Sequence, residues 1–226
     1  MSALPTAVTS VLHEPGAGRV VVFDADGTLW RGDVGEDFLR HLCAEGLVPE
    51  GSYARYDALH QADPPAAYAF AVTVMKGLLD AELAVRATDF FTQRFVGRVF
   101  PYVRPLLAQL RTAGYEVWVC SASPRWVVEP GAAHLGIASS QVIAVDAALV
   151  EGRLTERIMT PVPAGPGKVE WLRRKNVAPV LAIGNGDLDL DMLAYAQAAW
   201  VIAPPDAAPS LLTRQAKARN WPVSRF

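Results

Sequence analysis

The 226-residue chain has little cysteine, almost no excess of charge and no apolar run as long as a membrane span. Its two cysteines, Cys43 and Cys120, fall on a predicted helix and in a predicted buried strand, which favours two buried thiols over a disulfide or a metal pair. The net charge of −2 does not indicate nucleic acid or an anionic membrane surface as a partner. We therefore expect a cytoplasmic protein without membrane or nucleic acid partners, either a monomer or a homodimer.

The first eighteen residues lack a basic region followed by an apolar one, so they are a poor signal peptide. We expect them to form a partly disordered tail. In the whole chain, hydrophobic residues make up 51%, which is enough to bury a sizeable core. A length of 226 residues suits one α/β domain with a small insertion.

The most informative stretch spans residues 20–30, where three valines and a phenylalanine run into Asp24, Ala25, Asp26 and a Gly-Thr turn. Four apolar residues in a row predict a strand buried on both faces of a parallel sheet. Ligands of open α/β sheets bind beyond the carboxyl ends of the strands, so both aspartates are candidate functional residues. Two close carboxylates repel each other unless a cation such as Mg²⁺ lies between them. The alternative is a simple polar turn, because Asp and Gly favour turns.

A second polar segment follows the strand predicted over residues 115–120, where Ser121, Ala122 and Ser123 precede Pro124 and a helix start. Main-chain N–H groups at such a helix start can bind a phosphate. A Ser-Pro pair before a helix is also a common cap, so this segment alone is a weak indication.

Two further polar groups come later in the chain. Lys168 lies at the start of a predicted helix, where its positive charge interacts unfavourably with the helix dipole. If Lys168 bridged Asp24 and a phosphate, their negative charges would offset this cost. The strand predicted over residues 180–183 is followed by an amide and three carboxylates, Asn185, Asp187, Asp189 and Asp191. Such a group after a strand end indicates a ligand site rather than a cluster of surface residues without a function. The alternative is structural, because Asp is also favourable near a helix start.

Residues 33–96 have helical patterns and no convincing strand. About sixty residues are too many for one crossover, so they are predicted to form a helical insertion after the first strand. The predicted fold is α/β, with a Rossmann-like parallel sheet formed by residues 1–32 and 97–226.

The segment from Asp24 to Leu29 resembles the first motif, Asp-x-Asp-Gly-Thr-Leu, of the haloacid-dehalogenase-like superfamily, and is most similar to its phosphoserine-phosphatase-like branch. The resemblance implies a Mg²⁺-dependent phosphatase with a HAD-like core, in which residues 33–96 are the cap. It implies that Asp24 is the nucleophile, forming an aspartyl-phosphate, and also a metal ligand. It implies that Asp26 is the general acid and base, and that its carbonyl binds the metal.

The second and third motifs of this family also have matches. Ser121 matches the Ser or Thr that ends the second strand, which implies that Ser121 and Ala122 bind the phosphate. The segment Gly-Pro-Gly-Lys matches the third motif, Gly-x-Gly-Lys, which implies that Lys168 bridges Asp24 and the phosphate.

The fourth motif, Gly-Asp-Gly-x-Asn-Asp-x-x-Met-Leu, admits two registers. Aligned without gaps, Asn185 and Asp189 take the two metal positions and the final Met-Leu pair is matched. Asn185 can coordinate through its amide oxygen, but it removes one negative charge, so we expect weaker metal binding. A rival register makes Asp187 and Asp191 the metal pair.

The substrate is less well indicated. Asp33 occupies the position of the Glu that holds the substrate amine in phosphoserine phosphatases, and it is equally a possible helix N-cap. No clear match exists for the Arg that binds the substrate carboxylate. We predict a small phosphomonoester of an amino alcohol or an amino acid. The alternatives are a phosphotransferase or phosphomutase of the same superfamily, and a non-catalytic phosphate-binding module.

Overall fold

The computed structural model describes residues 4–206 and 208–226. The strands, in chain order, are β1 (Val20–Phe23), β2 (Glu116–Pro124), β3 (Val142–Val145), β4 (Ala147–Val150), β5 (Arg153–Ile158), β6 (Pro179–Gly184), β7 (Ala198–Ala203) and β8 (Val223–Arg225). The α-helices are α1 (Thr6–Leu12), α2 (Val34–Ala44), α3 (Ser52–Ala62), α4 (Pro64–Thr73), α5 (Asp80–Arg94), α6 (Val103–Thr112), α7 (Arg125–His134), α8 (Pro166–Arg174), α9 (Leu190–Tyr195) and α10 (Leu211–Ala218).

The chain divides into two compact units. Unit 1 comprises Met1–Gly32, Arg98–Cys120 and Ala164–Phe226, and unit 2 comprises Asp33–Gly97 and Ser121–Pro163. Unit 2 begins at Asp33, and it contains residues 121–163 as well as the inserted helices. The division into a cap of residues 33–96 and a core of residues 1–32 and 97–226 stays a prediction.

Unit 1 is built on parallel strands in the order β2, β1, β6, β7, β8. Each residue of β1 is buried, and β1 pairs with β2 on one side and with β6 on the other. A strand that has neighbours on both edges and is covered on both faces needs apolar side chains throughout, which explains the unbroken Val-Val-Val-Phe run. The predicted α/β fold with a parallel sheet is confirmed.

The start of unit 1 contradicts the prediction of a disordered tail, as far as the described residues go. Thr6–Leu12 forms α1, in which Val8 and Val11 are buried. The hydroxyl of Tyr115, at the start of the second predicted strand, donates to the Val11 carbonyl at 2.5 Å. A seven-residue segment is too short for a clear helical pattern, so tertiary contacts decide its conformation.

Unit 2 contains helices α2 to α5, as the sequence predicts for residues 33–96, together with α7 and the strands β3 to β5. Its core is aromatic, with the rings of Phe38 and Phe90 centred 5.2 Å apart. The hairpin predicted around Glu151 and Gly152 is present as β4 and β5, and both turn residues have positive φ. None of the helices among the described residues is long and apolar enough to cross a membrane.

Candidate active site

The loop after β1 carries the first pair of candidate residues, and all of it lies in unit 1. The main-chain N–H of Asp24 donates to the Ile183 carbonyl at 2.8 Å, which extends the pairing with β6 by one residue and puts Asp24 at the strand end. The Ala25 carbonyl then accepts the N–H of Thr28 at 3.1 Å and that of Leu29 at 2.7 Å, so the chain turns at once. The carboxylates therefore lie at the carboxyl end of the central strand, as predicted from the motif.

Gly27 is required in this loop for two reasons. Its φ of +70° lies in the left-handed region that favours glycine. A Cβ at this position would lie 2.0 Å from Nδ2 and 2.8 Å from Cγ of Asn185, so the Asn185 side chain would have to move. Glycine at residue 27 thus lets the loop after β1 lie directly against that side chain.

Lys168 lies at the centre of the site. Its Nζ donates to Oδ1 of Asp24 at 2.7 Å, to Oδ1 of Asp189 at 2.6 Å and to the carbonyl of Cys120 at 2.7 Å. The lysine is 1% exposed, Asp189 3% and Asp24 7%. An ammonium has three donors, so all of them are used, and a contact with phosphate would require one bond to be released or shared.

The electrostatics of these three groups are coupled. Burial alone would lower the pKa of Lys168, but the carboxylates of Asp189 and Asp24 outweigh it and raise that pKa above its usual range. Burial, reinforced by the Asp189 carboxylate and opposed by Lys168, raises the pKa of Asp24 to about 6. With both carboxylates ionised and one ammonium present, the group carries one net negative charge.

Asp189 holds the loop after β6 in place. Its Oδ2 accepts the main-chain N–H groups of Asn185 and Gly186, each at 2.9 Å, while its Oδ1 binds Lys168. A Cβ on Gly184 would lie 2.8 Å from this carboxylate, so the strand end needs glycine there. Both oxygens of Asp189 are engaged, which suits a residue that orients Lys168 and Asn185 better than one that faces a metal.

The two registers of the fourth motif differ in where they put their residues. Asn185 lies beside the loop after β1, with its Oδ1 3.3 Å from the hydroxyl of Thr28. Asp187 and Asp191 are exposed, and Oδ1 of Asp187 accepts the N–H of Leu212 at the start of α10 at 2.8 Å. The structure thus brings Asn185 and Asp189 together with Asp24, whereas Asp187 serves a helix start.

A magnesium ion fits the donors that are present. The Thr28 hydroxyl lies 3.1 Å from Oδ2 of Asp24 and 3.3 Å from Oδ1 of Asn185, so these two oxygens converge on one place. A cavity of about 290 Å³ is lined by Gly27 and Asn185, but its lining includes neither Asp24 nor Asp26. Within the part of the chain that the structure describes, no group of three or more His, Cys, Asp or Glu could hold a metal. The amide of Asn185 and the Asp26 carbonyl would therefore have to complete the ligand set.

Three supporting groups were not predicted from the sequence. The indole N–H of Trp30 donates to Oδ1 of Asp26 at 2.8 Å. The hydroxyl of Tyr102 donates to the carbonyl of Thr28, and burial followed by the nearby Asp24 charge raises the pKa of that phenol above its usual range. The third group is the Cys120 carbonyl that binds Lys168. Trp30 follows the motif directly and could have been noticed there, whereas no sequence pattern indicates Tyr102.

The remaining candidate residues lie in unit 2. Ser121 and Ala122 belong to β2, which continues to Pro124, so the predicted turn is instead a strand extension, and α7 begins directly after it. The Ser121 hydroxyl accepts the Ser123 N–H at 3.1 Å. Asp33 caps α2, since its Oδ1 accepts the Glu36 N–H at 2.8 Å. The roles of Ser121 and Ala122 toward phosphate and of Asp33 toward an amine stay predictions.

Known proteins resemble this chain in sequence. A family model described as haloacid dehalogenase-like hydrolase matches residues 21–194. Phosphoserine phosphatase of Streptomyces coelicolor is 32% identical over 192 residues, which cover 82% of this chain and 44% of that protein. A phosphoserine phosphatase of Mycobacterium tuberculosis is 28% identical over 185 residues, covering 79% of this chain and 42% of the relative. The chain thus spans less than half the length of these two curated relatives.

Solved structures resemble the chain in fold. A protein of unknown function from Bordetella pertussis Tohama I superposes with a TM-score of 0.75 at 21% identity, covering 91% of this chain and 97% of its own. A substrate-bound phosphoserine phosphatase superposes with a TM-score of 0.57 at 17% identity, covering 83% of this chain and 87% of its own. The family match over 174 residues, from 21 to 194, is the decisive similarity. The chain belongs to the haloacid dehalogenase-like hydrolase family, in the branch that resembles the phosphoserine phosphatases.

Proposed function

We propose that the protein is a Mg²⁺-dependent phosphatase that hydrolyses a small phosphomonoester through an aspartyl-phosphate on Asp24. One observation carries the proposal, namely the buried Asp24 carboxylate at the end of the central strand, held by Lys168 at 2.7 Å. An ion pair with only a structural role could lie anywhere in the core, whereas Asp24 and Lys168 lie at the carboxyl end of a parallel strand, where ligands of such sheets bind. The names of the curated relatives support the same reaction.

The reaction has two steps, and the chain supplies groups for both. In the first, an oxygen of Asp24 attacks phosphorus, the bond from phosphorus to the ester oxygen breaks, and Asp26 gives its proton to the departing oxygen. In the second, water attacks phosphorus, Asp26 takes up a proton from it, and the bond to Asp24 breaks to release inorganic phosphate. Asp26 ends each cycle protonated again, so the steps balance.

Phosphoryl transfer depends mainly on positioning and on neutralising charge. Lys168 orients Asp24 and offsets its charge, and Asp189 holds Lys168 and the loop of Asn185 in place. When bound, Mg²⁺ would supply the further positive charge that the carboxylates and the phosphoryl oxygens require. Ser121 and Ala122 are proposed as additional phosphate ligands on the family resemblance.

The substrate is proposed to be a phosphorylated amino alcohol or amino acid. Asp33, placed nine residues after the proposed nucleophile, is the candidate ligand for the substrate amine. The names of the relatives support this class of substrate, because phosphoserine is a phosphorylated amino acid. A protein that acts on metabolites of this kind would work in the cytoplasm, as a monomer or a homodimer.

The activity can be tested with a panel of phosphomonoesters. Phosphoserine and phosphoethanolamine are expected to release inorganic phosphate faster than glycerol phosphate or sugar phosphates, and EDTA should reduce every rate to background until Mg²⁺ is restored. The assay measures phosphate with a colorimetric reagent. Good rates on sugar phosphates alone would reject the amine-bearing substrate, and transfer to a second hydroxyl without phosphate release would favour the phosphotransferase.

A change of charge at the metal position tests the ligand set. Asn185→Asp adds a carboxylate where the amide oxygen lies, and ligand charge sets metal affinity, so half-maximal activity should require about tenfold less Mg²⁺. Without metal the same variant should melt at a lower temperature, because the added charge repels Asp24. Asp191→Asn is the matched control. A clearly higher Mg²⁺ requirement in that control would instead support the rival pair, Asp187 and Asp191.

A further inference from the structure

The backbone around Trp30 is fixed from both sides. The Trp30 carbonyl accepts the N–H of Gly27 at 2.8 Å, which closes the loop after β1. Trp30 also forms an antiparallel bridge with Val99, and the flanking N–H groups of Arg31 and Phe100 donate to Arg98 and Leu29, each at 3.0 Å. The segment after the motif is therefore paired like a short strand, and its position does not depend on the side chain of Trp30 alone.

The indole of Trp30 is fully buried, and its N–H is directed to the side chain of Asp26. The distance of 2.8 Å from Nε1 to Oδ1 lies within the usual range of an N–H···O hydrogen bond. Asp26 itself is only half-buried and stands on a tight turn, where a short side chain can take several rotamers. A rigid donor on a fixed backbone selects one of those rotamers. Because the indole N–H can only donate, the Asp26 oxygen is the acceptor of this bond.

We propose that Trp30 is a positioning residue that holds the carboxyl group of Asp26 in the orientation from which it protonates the departing ester oxygen. The inference rests on the proposed function, and it adds a residue that the four motifs do not contain. During the first step the proton passes from Asp26 to the ester oxygen as the bond to phosphorus breaks. The misplacement of a reacting group by about 1 Å can cost on the order of a hundredfold in rate, so one fixed rotamer matters.

The test compares two esters that differ in their need for a proton. An alkyl phosphate requires protonation of its leaving oxygen, whereas nitrophenyl phosphate loses a stable phenolate without it. Trp30→Phe keeps a ring and removes the N–H, so kcat/KM for the alkyl ester is expected to fall about tenfold to a hundredfold. For the aryl ester, kcat/KM should change less than about threefold. This ratio covers only the steps up to departure of the leaving group, and the phenolate departs without a proton.

Controls separate positioning from packing. Trp200→Phe removes another buried indole N–H of unit 1, the one that donates to Ser224 at 3.0 Å, and should not change the ratio of the two esters. If Trp30 acts through Asp26, Trp30→Phe in an Asp26→Asn background should cause no further loss for the alkyl ester. Benzothienylalanine at position 30 has the size of tryptophan but lacks the N–H, so it keeps the test decisive should the phenylalanine variant fail to fold.

Each outcome decides the matter. A selective loss on the alkyl ester with both Trp30 replacements supports the assignment. Equal losses on both esters, or no loss, would overturn it while leaving the phosphatase proposal intact. If the wild-type protein hydrolyses neither ester in the presence of Mg²⁺, the proposed function fails, and the role of Trp30 fails with it.

Discussion

Asp24→Asn is expected to lower kcat for phosphomonoester hydrolysis on the order of 10⁴-fold or more, the scale seen when a covalent nucleophile is removed. An amide oxygen cannot form the acyl phosphate that the first step requires. The shape of the side chain is kept, and its oxygen can still accept from Lys168, so the loss should not come from misfolding. The measurement is phosphate release under saturating substrate and Mg²⁺.

The same variant should also change stability with a defined pH dependence. Burial raises the pKa of Asp24 to about 6, above its ordinary value of 3.8, so protonation of Asp24 stabilises the folded state of the wild-type protein. That contribution is fully present below about pH 4 and is lost as the pH rises through about 6. In EDTA, Asp24→Asn should therefore melt higher than wild type at pH 8, and the difference should shrink at pH 4.

A surface replacement provides the control for both measurements. Asp89→Asn removes an exposed carboxylate of unit 2 and should leave the rate and the melting temperature unchanged at either pH. An Asp24→Asn protein with a tenth or more of the wild-type rate would contradict the role of nucleophile. A melting difference that does not vary with pH would contradict the raised pKa.

Lys168→Met should be the most destabilising of the proposed replacements. It leaves the carboxylates of Asp24 and Asp189 buried within reach of each other without their common cation. Removing one partner of a buried ion pair typically lowers the free energy of unfolding by about 3–5 kcal/mol. We expect a loss of that size at pH 8 by urea denaturation, and a smaller loss at pH 5, where Asp24 can be protonated.

Two variants test whether charge is the cause. Lys76 forms an exposed ion pair with Glu156 at 2.7 Å, and Lys76→Met should have no measurable effect on the urea midpoint. In the double variant Lys168→Met and Asp189→Asn, part of the lost stability should return, because one of the two buried charges has gone. If the double variant is no more stable than Lys168→Met, repulsion between the two buried carboxylates is not the main cause of the loss.

The residues of the motif loops could be predicted from the sequence because their chemistry is local. The apolar run before Asp24 predicts a central strand, and the sheet brings this strand next to the one before Asn185, where the paired strands are observed. The family resemblance correctly implied the family, and it pointed to Lys168, which the structure puts against Asp24. Position along parallel strands thus brings Asp24 and Asn185 to the same edge of the sheet, and the start of α8 adds Lys168.

Other features could not be predicted because they depend on distant contacts. Tyr102 binds the carbonyl of Thr28 across 74 positions of sequence, and nothing in its own surroundings marks it. Ser121 and Ala122 were predicted in a turn, since Ser and Pro favour turns, but they continue β2. The grouping of residues 121–163 with the inserted helices follows from packing, which a residue pattern does not specify.

The pairing of β1 along its whole length has a consequence for local opening. Amides between two neighbouring strands exchange their hydrogens with solvent only when a large part of the domain opens. Because the N–H of Asp24 continues this ladder to Ile183, the Asp24 carboxylate is attached to a segment of unit 1 that we expect to exchange slowly. We therefore expect fraying at helix ends or edge strands to leave the proposed nucleophile in place.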